Sequence, residues 1–107
     1  MAWRETTKMT AYALGIYRIR DTSWRPAYRE AQNKILPRYH GRYLVRSDGA
    51  WEVLEGKAPS ATAFTVLEFP SMEMARAWHS DSDYAPFIKL RRQHSELDLI
   101  LVEGSTW

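Results

Sequence analysis

The chain has 107 residues and a formal net charge of +2; 45% of its residues are hydrophobic, 26% are charged and none is cysteine. This length supports one hydrophobic core, and the composition is typical of a soluble folded domain rather than of a disordered or membrane-spanning chain. The lack of cysteine excludes disulfides, thiolate metal ligands and cysteine nucleophiles, and the first ten residues lack the apolar run of a secretory signal, so we expect a cytoplasmic domain.

Hydrophobic periodicity predicts strands and helices in a defined order. The expected elements are a strand at 10–19, a helix at 24–36, strands at 41–46 and 62–69, helices at 72–78 and 84–95, and a strand at 97–103. They form one domain over 10–104, with an N-terminal extension over 1–9 and a tail over 105–107.

Polar residues and proline mark the expected helix ends. Candidate N-caps are Asp21, Thr22 and Ser23 for the first helix, Ser71 for the second and Asp83 for the third. We expect Pro37 and Gly41 to end the first helix. The apolar stripe of this helix comprises Trp24, Tyr28, Ala31 and Ile35.

The element order is βαββαβ, which predicts a ferredoxin-like α+β fold, an antiparallel sheet with its helices on one face. The first, third and last strands are apolar on both faces; in the third, Phe64 and Val66 alternate with Leu67 and Phe69. A chain of this length has no further element to cover the second face, and monomers seldom expose so large an apolar patch. We therefore expect a homodimer that packs sheet against sheet, with a pocket between sheet and helices.

Charge is uneven along the chain. Residues 1–46 hold ten basic and three acidic residues, whereas residues 47–107 hold five basic and ten acidic residues. The halves are expected to neutralise each other within the fold or across a dimer. The alternative, a basic surface for RNA, is disfavoured because Thr62, Ala63 and Val66 stand where an RNA-recognition motif needs a basic residue, glycine and an aromatic ring. We expect no nucleic-acid or membrane partner.

Five segments, taken in order, resemble a known family. They are 41–46 (GRYLVR), 53–56 (VLEG), 67–73 (LEFPSME), 77–78 (AW) and 101–104 (LVEG). The resemblance is to domain-of-unknown-function family 1330 of the dimeric α/β-barrel superfamily and spans residues 11–104. It implies a ferredoxin-like protomer that dimerises through its sheet. Relatives in the superfamily include small cofactor-independent monooxygenases, cyclases, isomerases and a lyase, which act on aromatic or polyketide-like molecules.

The chain departs from the family pattern at three places. It has His40-Gly41 where Gly-Gly is usual, RSDG at 46–49 where Arg-Gly-Gly is usual, and Trp78-His79 where Trp-Tyr is common. Because enzymes of the superfamily often use a single histidine as base, His79 is a candidate catalytic base. The alternative for His79 is a partly exposed residue that helps to end a helix.

The other two histidines are weaker candidates. His40 is a candidate substrate-binding residue, or a helix C-terminal residue favoured by the dipole, and His94 is expected on the surface. The three histidines lack the spacing of a metal site, so no metal is predicted.

Glu68 is the second candidate catalytic group. It shares a strand face with Phe64 and Val66, where an ionised carboxylate needs a partner or has a raised pKa. The candidate partners are Arg46, at the end of the neighbouring strand, and Arg91, in the last helix. Either arginine could anchor a substrate carboxylate or enolate; the alternative is a buried salt bridge between helix and sheet.

Aromatic residues complete the predicted site. Tyr12, Tyr43, Trp51 and Trp78 are candidate pocket walls, or simply core residues. Together with the resemblance, these residues predict a small cofactor-independent enzyme that moves a proton on a small aromatic or carboxylated metabolite, with His79 or Glu68 as base and Arg46 or Arg91 stabilising negative charge. The alternatives are a non-catalytic binding protein and a structural dimer without a pocket.

Overall fold

The computed structural model describes residues 9–105, so the predicted extension and tail lie almost wholly outside the described residues. The elements in chain order are β1 (Ala11–Ile19), α1 (Arg25–Ile35), a 3₁₀ helix (Leu36–Tyr39), β2 (Arg42–Ser47), β3 (Ala63–Phe69), α2 (Met72–His79), α3 (Ala85–His94) and β4 (Ser95–Glu103). Each predicted strand and helix is present within two residues of its expected bounds.

The four strands form one antiparallel sheet in the order β2-β3-β1-β4. β1 is central; it pairs with β3 from Ala11 opposite Phe69 to Tyr17 opposite Ala63, and with β4 along its other edge. The α-helices of the described chain pack on one side of this sheet. The predicted ferredoxin-like α+β fold is therefore confirmed.

The two sides of the sheet differ in their cover. On the side that faces the helices, Ala11, Ala13 and Tyr17 of β1 are at most 6% exposed. The other side, which we call the open face, carries Tyr12, Leu14, Ile16, Phe64, Val66, Ile100 and Val102. No helix or strand of residues 9–105 covers it; Trp51 packs on Phe64 at one end, but Ile100 and Val102 are 50% and 41% exposed. The expected apolar pattern on both faces is thus present.

α1 packs against the sheet with its predicted apolar stripe, and all four residues of the stripe are buried. Its start differs from the expectation, because Trp24 occupies the N-cap and makes no side-chain cap bond. The Asp21 carboxylate is engaged elsewhere: it accepts hydrogen bonds from the backbone N–H and hydroxyl of Ser23, at 3.0 and 2.5 Å, and pairs with His94 at 2.7 Å. The predicted N-cap at Asp21, Thr22 or Ser23 is therefore wrong.

The end of α1 agrees with the expectation, but an unpredicted 3₁₀ helix follows it. The helix passes directly into the 3₁₀ helix, where Pro37 lies in the first turn and its missing N–H costs no helical bond. The α-helix therefore ends just before Pro37, as predicted, and the 3₁₀ helix continues the coil to Tyr39. The chain then turns at His40, whose φ of 54° is left-handed, and at Gly41. A Cβ on Gly41 would lie 2.5 Å from the Phe69 ring, so this position requires glycine.

The caps of α2 and α3 give one confirmation and one correction. The Ser71 hydroxyl accepts a hydrogen bond from the Met74 N–H at 3.2 Å, which confirms the predicted N-cap of α2. At α3 the N-cap is Tyr84, not Asp83. The Asp83 carboxylate instead forms an ion pair with Arg38 at 2.8 Å, which draws it away from the helix end.

Candidate functional site

A cavity of about 150 Å³ lies between strands β1, β2 and β3 and the first half of α1. Its aromatic walls are Tyr17, Trp24, Tyr28 and Tyr43, and its basic groups are Arg25, Arg29 and Arg46. We call it the arginine cavity. Burial is the main cause that raises the pKa of the Tyr17 and Tyr43 phenols above the ordinary value. The cavity therefore combines the neutral phenols of Tyr17 and Tyr43 with positive charge.

Arg46 reaches this cavity because β2 contains a bulge. A register shift between Tyr43 and Val45 interrupts the pairing of β2 with β3. Arg46 consequently lies opposite Thr65, on the side that faces the helices. Without the bulge, strand alternation would place Arg46 on the open face beside Arg42.

The Arg46 guanidinium lies over an aromatic ring. Its Cζ atom is 4.5 Å from the centroid of Tyr43, a cation–π contact. Within residues 9–105 no salt bridge joins Arg46 to an acidic residue. Arg25, by contrast, pairs with Asp48 at 3.0 Å and lowers the pKa of that carboxyl. Arg46, like Arg29, which also has no salt bridge in the described chain, is thus a cation of this cavity that can receive an anionic ligand, and Arg46 is the one held over an aromatic wall.

A second cavity, of about 240 Å³, lies between α2 and strands β1 and β4. It is lined by Ala13, Leu99 and Leu101 of the sheet and by Ala75, Arg76, Trp78 and His79 of α2. We call it the histidine cavity. Burial, together with the charges of Arg91 and Arg92, lowers the pKa of His79, so its imidazole is neutral at neutral pH. The two cavities have no lining residue in common.

A buried polar group of side chains packs within the core. It comprises Tyr28 and Gln32 of α1, Trp78 of α2, and Tyr84 and Arg91 at the start and end of α3. We call it the tyrosine–arginine cluster. All five residues are at most 6% exposed. The Tyr28 and Tyr84 hydroxyls share a hydrogen bond, and Arg91 Nη1 donates to both, at 2.9 and 3.0 Å.

The structure distributes the predicted site residues over several places. Arg46 and Tyr43 line the arginine cavity, whereas His79 and Trp78 line the histidine cavity. Arg91 lies in the tyrosine–arginine cluster, and Tyr12 and Glu68 lie on the open face. Trp51 packs edge-on against Phe64, and His40 is an exposed turn residue. His79, Glu68 and Arg46 therefore do not converge on one point. The cavity beside His79 speaks against a dimer without a pocket.

The predicted partners of Glu68 are wrong. Glu68 lies opposite Arg42 in the β2–β3 ladder; its Oε1 accepts a hydrogen bond from Arg42 Nε at 2.8 Å and forms an ion pair with Arg42 Nη2 at the same distance. Arg46 faces the other side of the sheet because of the bulge, and Arg91 is buried beneath the helices. The carboxylate of Glu68 thus belongs to an ion pair on the open face and lines neither cavity.

Three members of the tyrosine–arginine cluster, Tyr28, Gln32 and Tyr84, lie outside the set of site residues predicted from the sequence. A signal for the two residues of α1 exists, because Gln32 follows Tyr28 by four residues and so places an amide within the apolar face of that helix. Gln32 is 1% exposed, and a buried amide requires hydrogen-bond partners. A polar residue within an apolar helix stripe therefore marks this cluster.

Among residues 9–105, no three His, Asp or Glu side chains are grouped so that they could hold a metal ion. No helix in that range has the length and apolar character needed to cross a bilayer.

The sequence matches a family model over residues 10–105, described as Domain of unknown function (DUF1330). No curated protein matches the chain.

Solved structures are similar to this fold. A protein of unknown function from Rhodopseudomonas palustris has a TM-score of 0.72 and 15% identity, over 98% of this chain and 90% of its own. SnoaB, a cofactor-independent oxygenase from Streptomyces nogalater, has a TM-score of 0.63 and 8% identity, over 92% and 96%. A conserved protein of unknown function from Bacteroides thetaiotaomicron, described as a possible oxidoreductase, has a TM-score of 0.56 and 12% identity, over 91% and 99%. At these identities the likeness shows the fold alone.

Proposed function

The chain belongs to the DUF1330 family, and on that premise we propose that it is a small cofactor-independent enzyme that moves a proton on a small aromatic or carboxylated metabolite. Cyclases, isomerases and lyases carry out chemistry of this kind. The substrate binds in the arginine cavity. The fold it shares with SnoaB, a cofactor-independent oxygenase, is compatible with such a role.

The composition of the arginine cavity carries this proposal. Tyr17, Trp24 and Tyr43 offer ring faces and edges to an aromatic substrate, and Trp24 itself packs with Tyr17 at a centroid distance of 6.1 Å. Arg46, which has no acidic partner in the described chain, presents a fork of donors that matches a carboxylate. An arginine in this position also stabilises negative charge that develops on an enolate.

The size of the cavity limits the substrate. Its volume of about 150 Å³ is close to that of cavities that admit a benzene-sized molecule. A single ring with a carboxylate is therefore the substrate class that fits best. Asp48, which pairs with Arg25, lines the cavity and is exposed to solvent.

The histidine cavity is the second place where the chemistry could occur. Its neutral His79 imidazole can accept a proton, whereas Glu68 is held by Arg42 on the open face. If the substrate binds there, His79 is the base and His79→Ala abolishes turnover while Arg46→Gln does not. The alternative to catalysis in either cavity is a non-catalytic binding protein. In that case the wild-type protein would bind a ligand but would not convert it.

Binding of benzoate tests the choice of cavity. We expect wild type to bind benzoate more tightly than benzyl alcohol, because only the carboxylate can pair with Arg46. Arg46→Gln removes charged hydrogen bonds worth roughly 1.5–3 kcal/mol and should weaken benzoate binding about tenfold or more. Arg76→Gln, a matched loss of charge in the histidine cavity, should leave the affinity unchanged. Equal affinity of wild type and Arg46→Gln, measured by calorimetry, contradicts the assignment.

We also propose that the open face is the interface of a homodimer. Its apolar centre, with Val66, Ile100 and Val102, is flanked by the ion pairs of Arg18 with Glu96 and Asp98 and of Arg42 with Glu68. An apolar centre with a charged rim is typical of protein interfaces. A second copy of the chain would bury the centre and leave the rim accessible to solvent.

The dimer is tested by light scattering of wild type and two charge variants. Ile100→Glu places a charge in the apolar centre of the open face and should give monomers. Ala27→Glu places the same charge on the exposed surface of α1 and should remain dimeric. A monomeric wild type at micromolar concentration contradicts the proposal.

A further inference from the structure

The basic residues in the first half of the described chain almost all have a polar partner. Residues 9–46 contain eight of them, and five form ion pairs with carboxylates: Arg18, Arg25, Lys34, Arg38 and Arg42. Arg20 donates to two backbone oxygens of α3. The other two, Arg29 and Arg46, have neither an ion pair nor a hydrogen bond to any group of residues 9–105. Both line the arginine cavity, so the two cations without a polar partner lie in one place.

The lining of the arginine cavity is positively charged as a whole. Three arginines and one acidic residue, Asp48, line it, which gives a formal surplus of two positive charges. The net charge of the whole chain is also +2, so the remainder of the chain is formally balanced and the excess is local. The first turn of α1, which carries part of this lining, contains no acidic residue, and the N-terminal end of a helix has a partial positive charge. The field in the cavity therefore attracts anions.

The carboxylates that are nearest to the unpaired arginines in sequence are already engaged. Asp48 pairs with Arg25 at 3.0 Å. Glu30, which is next to one of the unpaired arginines in α1, pairs with Lys34 at 3.6 Å. The described chain therefore supplies no anion to either unpaired arginine of the cavity, and a ligand can supply one to each.

The two unpaired guanidinium groups belong to different layers of the fold. Arg29 follows Arg25 by four residues, so both lie on one side of α1 and line the cavity from the helix layer. Arg46 lines it from the sheet, because the bulge of β2 places this residue on the side of the helices. The aromatic residues Trp24 and Tyr43 belong to the same lining. A ring that packs against these aromatic residues can therefore meet one cation from each layer.

We propose that the arginine cavity selects a ring with two acidic groups, an aromatic dicarboxylate, and that it binds one carboxylate through Arg46 and the other through Arg29. The inference rests on the proposed function, which places a carboxylated ring in this cavity, and it makes Arg29 a specificity-determining residue. Each guanidinium presents a fork of N–H donors to one carboxylate. The second carboxylate balances the positive charge that a monocarboxylate would leave.

The exposure of the two arginines suits a ligand with two negative charges. Arg29 and Arg46 are exposed residues, whereas Tyr17 and Trp24 of the same lining are buried. Carboxylates that pair with exposed guanidinium groups keep part of their hydration, so the large cost of burying two charges is avoided. The ring then packs on the aromatic residues while its acidic groups stay beside the exposed arginines.

The test is calorimetric titration of the intact protein at low ionic strength, where charge pairs at exposed sites are least screened. The probes are benzoate and the three benzenedicarboxylates, which differ in the spacing of their carboxylates. We expect the best dicarboxylate to bind wild type about tenfold or more tightly than benzoate, because it gains a second set of charged hydrogen bonds.

Three variants assign the gain to its residue. Arg29→Gln should remove the gain and leave the affinity for benzoate nearly unchanged, because benzoate pairs with Arg46. Lys34→Gln is the matched control: it removes a positive charge from the same helix outside the cavity lining, and should preserve the gain. Arg46→Gln should weaken the binding of benzoate and of the dicarboxylates. All three positions are exposed, so the variants are expected to fold, and circular dichroism checks this.

Two results overturn the inference: no dicarboxylate binds wild type more tightly than benzoate, or the gain persists in Arg29→Gln. If benzoate binding still depends on Arg46 in those experiments, the proposed function stands and only the second anchor is wrong. If wild type binds none of the four probes, both are wrong. Dicarboxylate binding that needs both arginines, without measurable benzoate binding, supports this inference and contradicts a substrate with a single carboxylate.

Discussion

The indole Nε1 of Trp78 donates a hydrogen bond to the amide oxygen of Gln32 over 3.0 Å in the protein interior. The bond links α2 to α1 and fixes which end of the amide faces Tyr28 and Tyr84. The donors around the two phenols are therefore set by packing between helices, and the polar cluster is coupled to the fold of the core.

Gln32→Leu should destabilise the protein by about 1–3 kcal/mol, because it leaves the buried Trp78 N–H without an acceptor and the phenols without one donor. Gln93→Leu is the matched control, since Gln93 is exposed on α3 and its substitution should change the free energy of unfolding by less than about 0.5 kcal/mol. Urea unfolding measures both. Equal effects of the two variants would show that the amide is not a structural element of the core.

Gly41→Ala should destabilise the protein by about 1–3 kcal/mol, because the added Cβ would lie 2.5 Å from Phe69 and 2.9 Å from Leu36, both buried. Gly49→Ala adds the same atom in an exposed turn, where the nearest neighbour is the Ser47 hydroxyl at 3.4 Å, and should be close to neutral. Thermal and urea unfolding of both variants measure the difference. A tolerated alanine at Gly41 contradicts the close packing of the turn on β3.

The imidazole of His79 should titrate below the ordinary histidine pKa of 6.5, because burial, Arg91 and Arg92 all disfavour its charged form. Arg92→Gln removes one of these charges and should raise the titration midpoint. Lys89→Gln, a loss of charge elsewhere on α3, should leave it unchanged. Histidine ring signals followed by NMR against pH measure the midpoints; a wild-type midpoint at or above 6.5 contradicts the partial desolvation of His79 beside Arg91 and Arg92.

The pKa of Asp21 should be about 2 rather than 3.8, because hydrogen bonds from Ser23 and His94 favour the carboxylate. The folded-state pKa is lowered, so the stabilisation is fully present above the unfolded value of 3.8 and is lost as pH falls towards about 2. The stability difference between wild type and Asp21→Asn should therefore shrink over that window.

Ser23→Ala provides the matched variant for this acid titration. It removes the first cause of the shift and should move the midpoint of Asp21 upward, towards 3.8. Carboxyl NMR signals report the midpoint directly. A wild-type Asp21 that titrates at the ordinary value contradicts the turn geometry before α1.

Local sequence patterns were sufficient to predict the fold. Both faces of β1 are apolar, and the stripe from Trp24 to Ile35 on α1 has helical spacing, so sheet and helix could be recognised without knowledge of tertiary contacts. The helix ends were harder to predict, because the Asp21 carboxylate is drawn to His94, a residue distant in sequence.

The site was less predictable, and the bulge in β2 explains why. Simple alternation places Arg42 and Arg46 on the same side of the sheet, which makes Arg46 a reasonable partner for Glu68. The register shift after Tyr43 moves Arg46 to the other side and leaves Arg42 to pair with Glu68. A bulge depends on pairing with the neighbouring strand, so its position cannot be predicted from the β2 sequence alone.

The most direct test of the arginine cavity is residue-resolved NMR of the protein titrated with benzoate. We predict that the largest chemical-shift changes occur at Tyr43, Arg46 and Thr65, which line that cavity. Shifts confined to His79, Leu99 and Leu101 would place the ligand in the histidine cavity, and no shift at millimolar benzoate would remove the arginine cavity as a site for a carboxylated ring; either result contradicts the account.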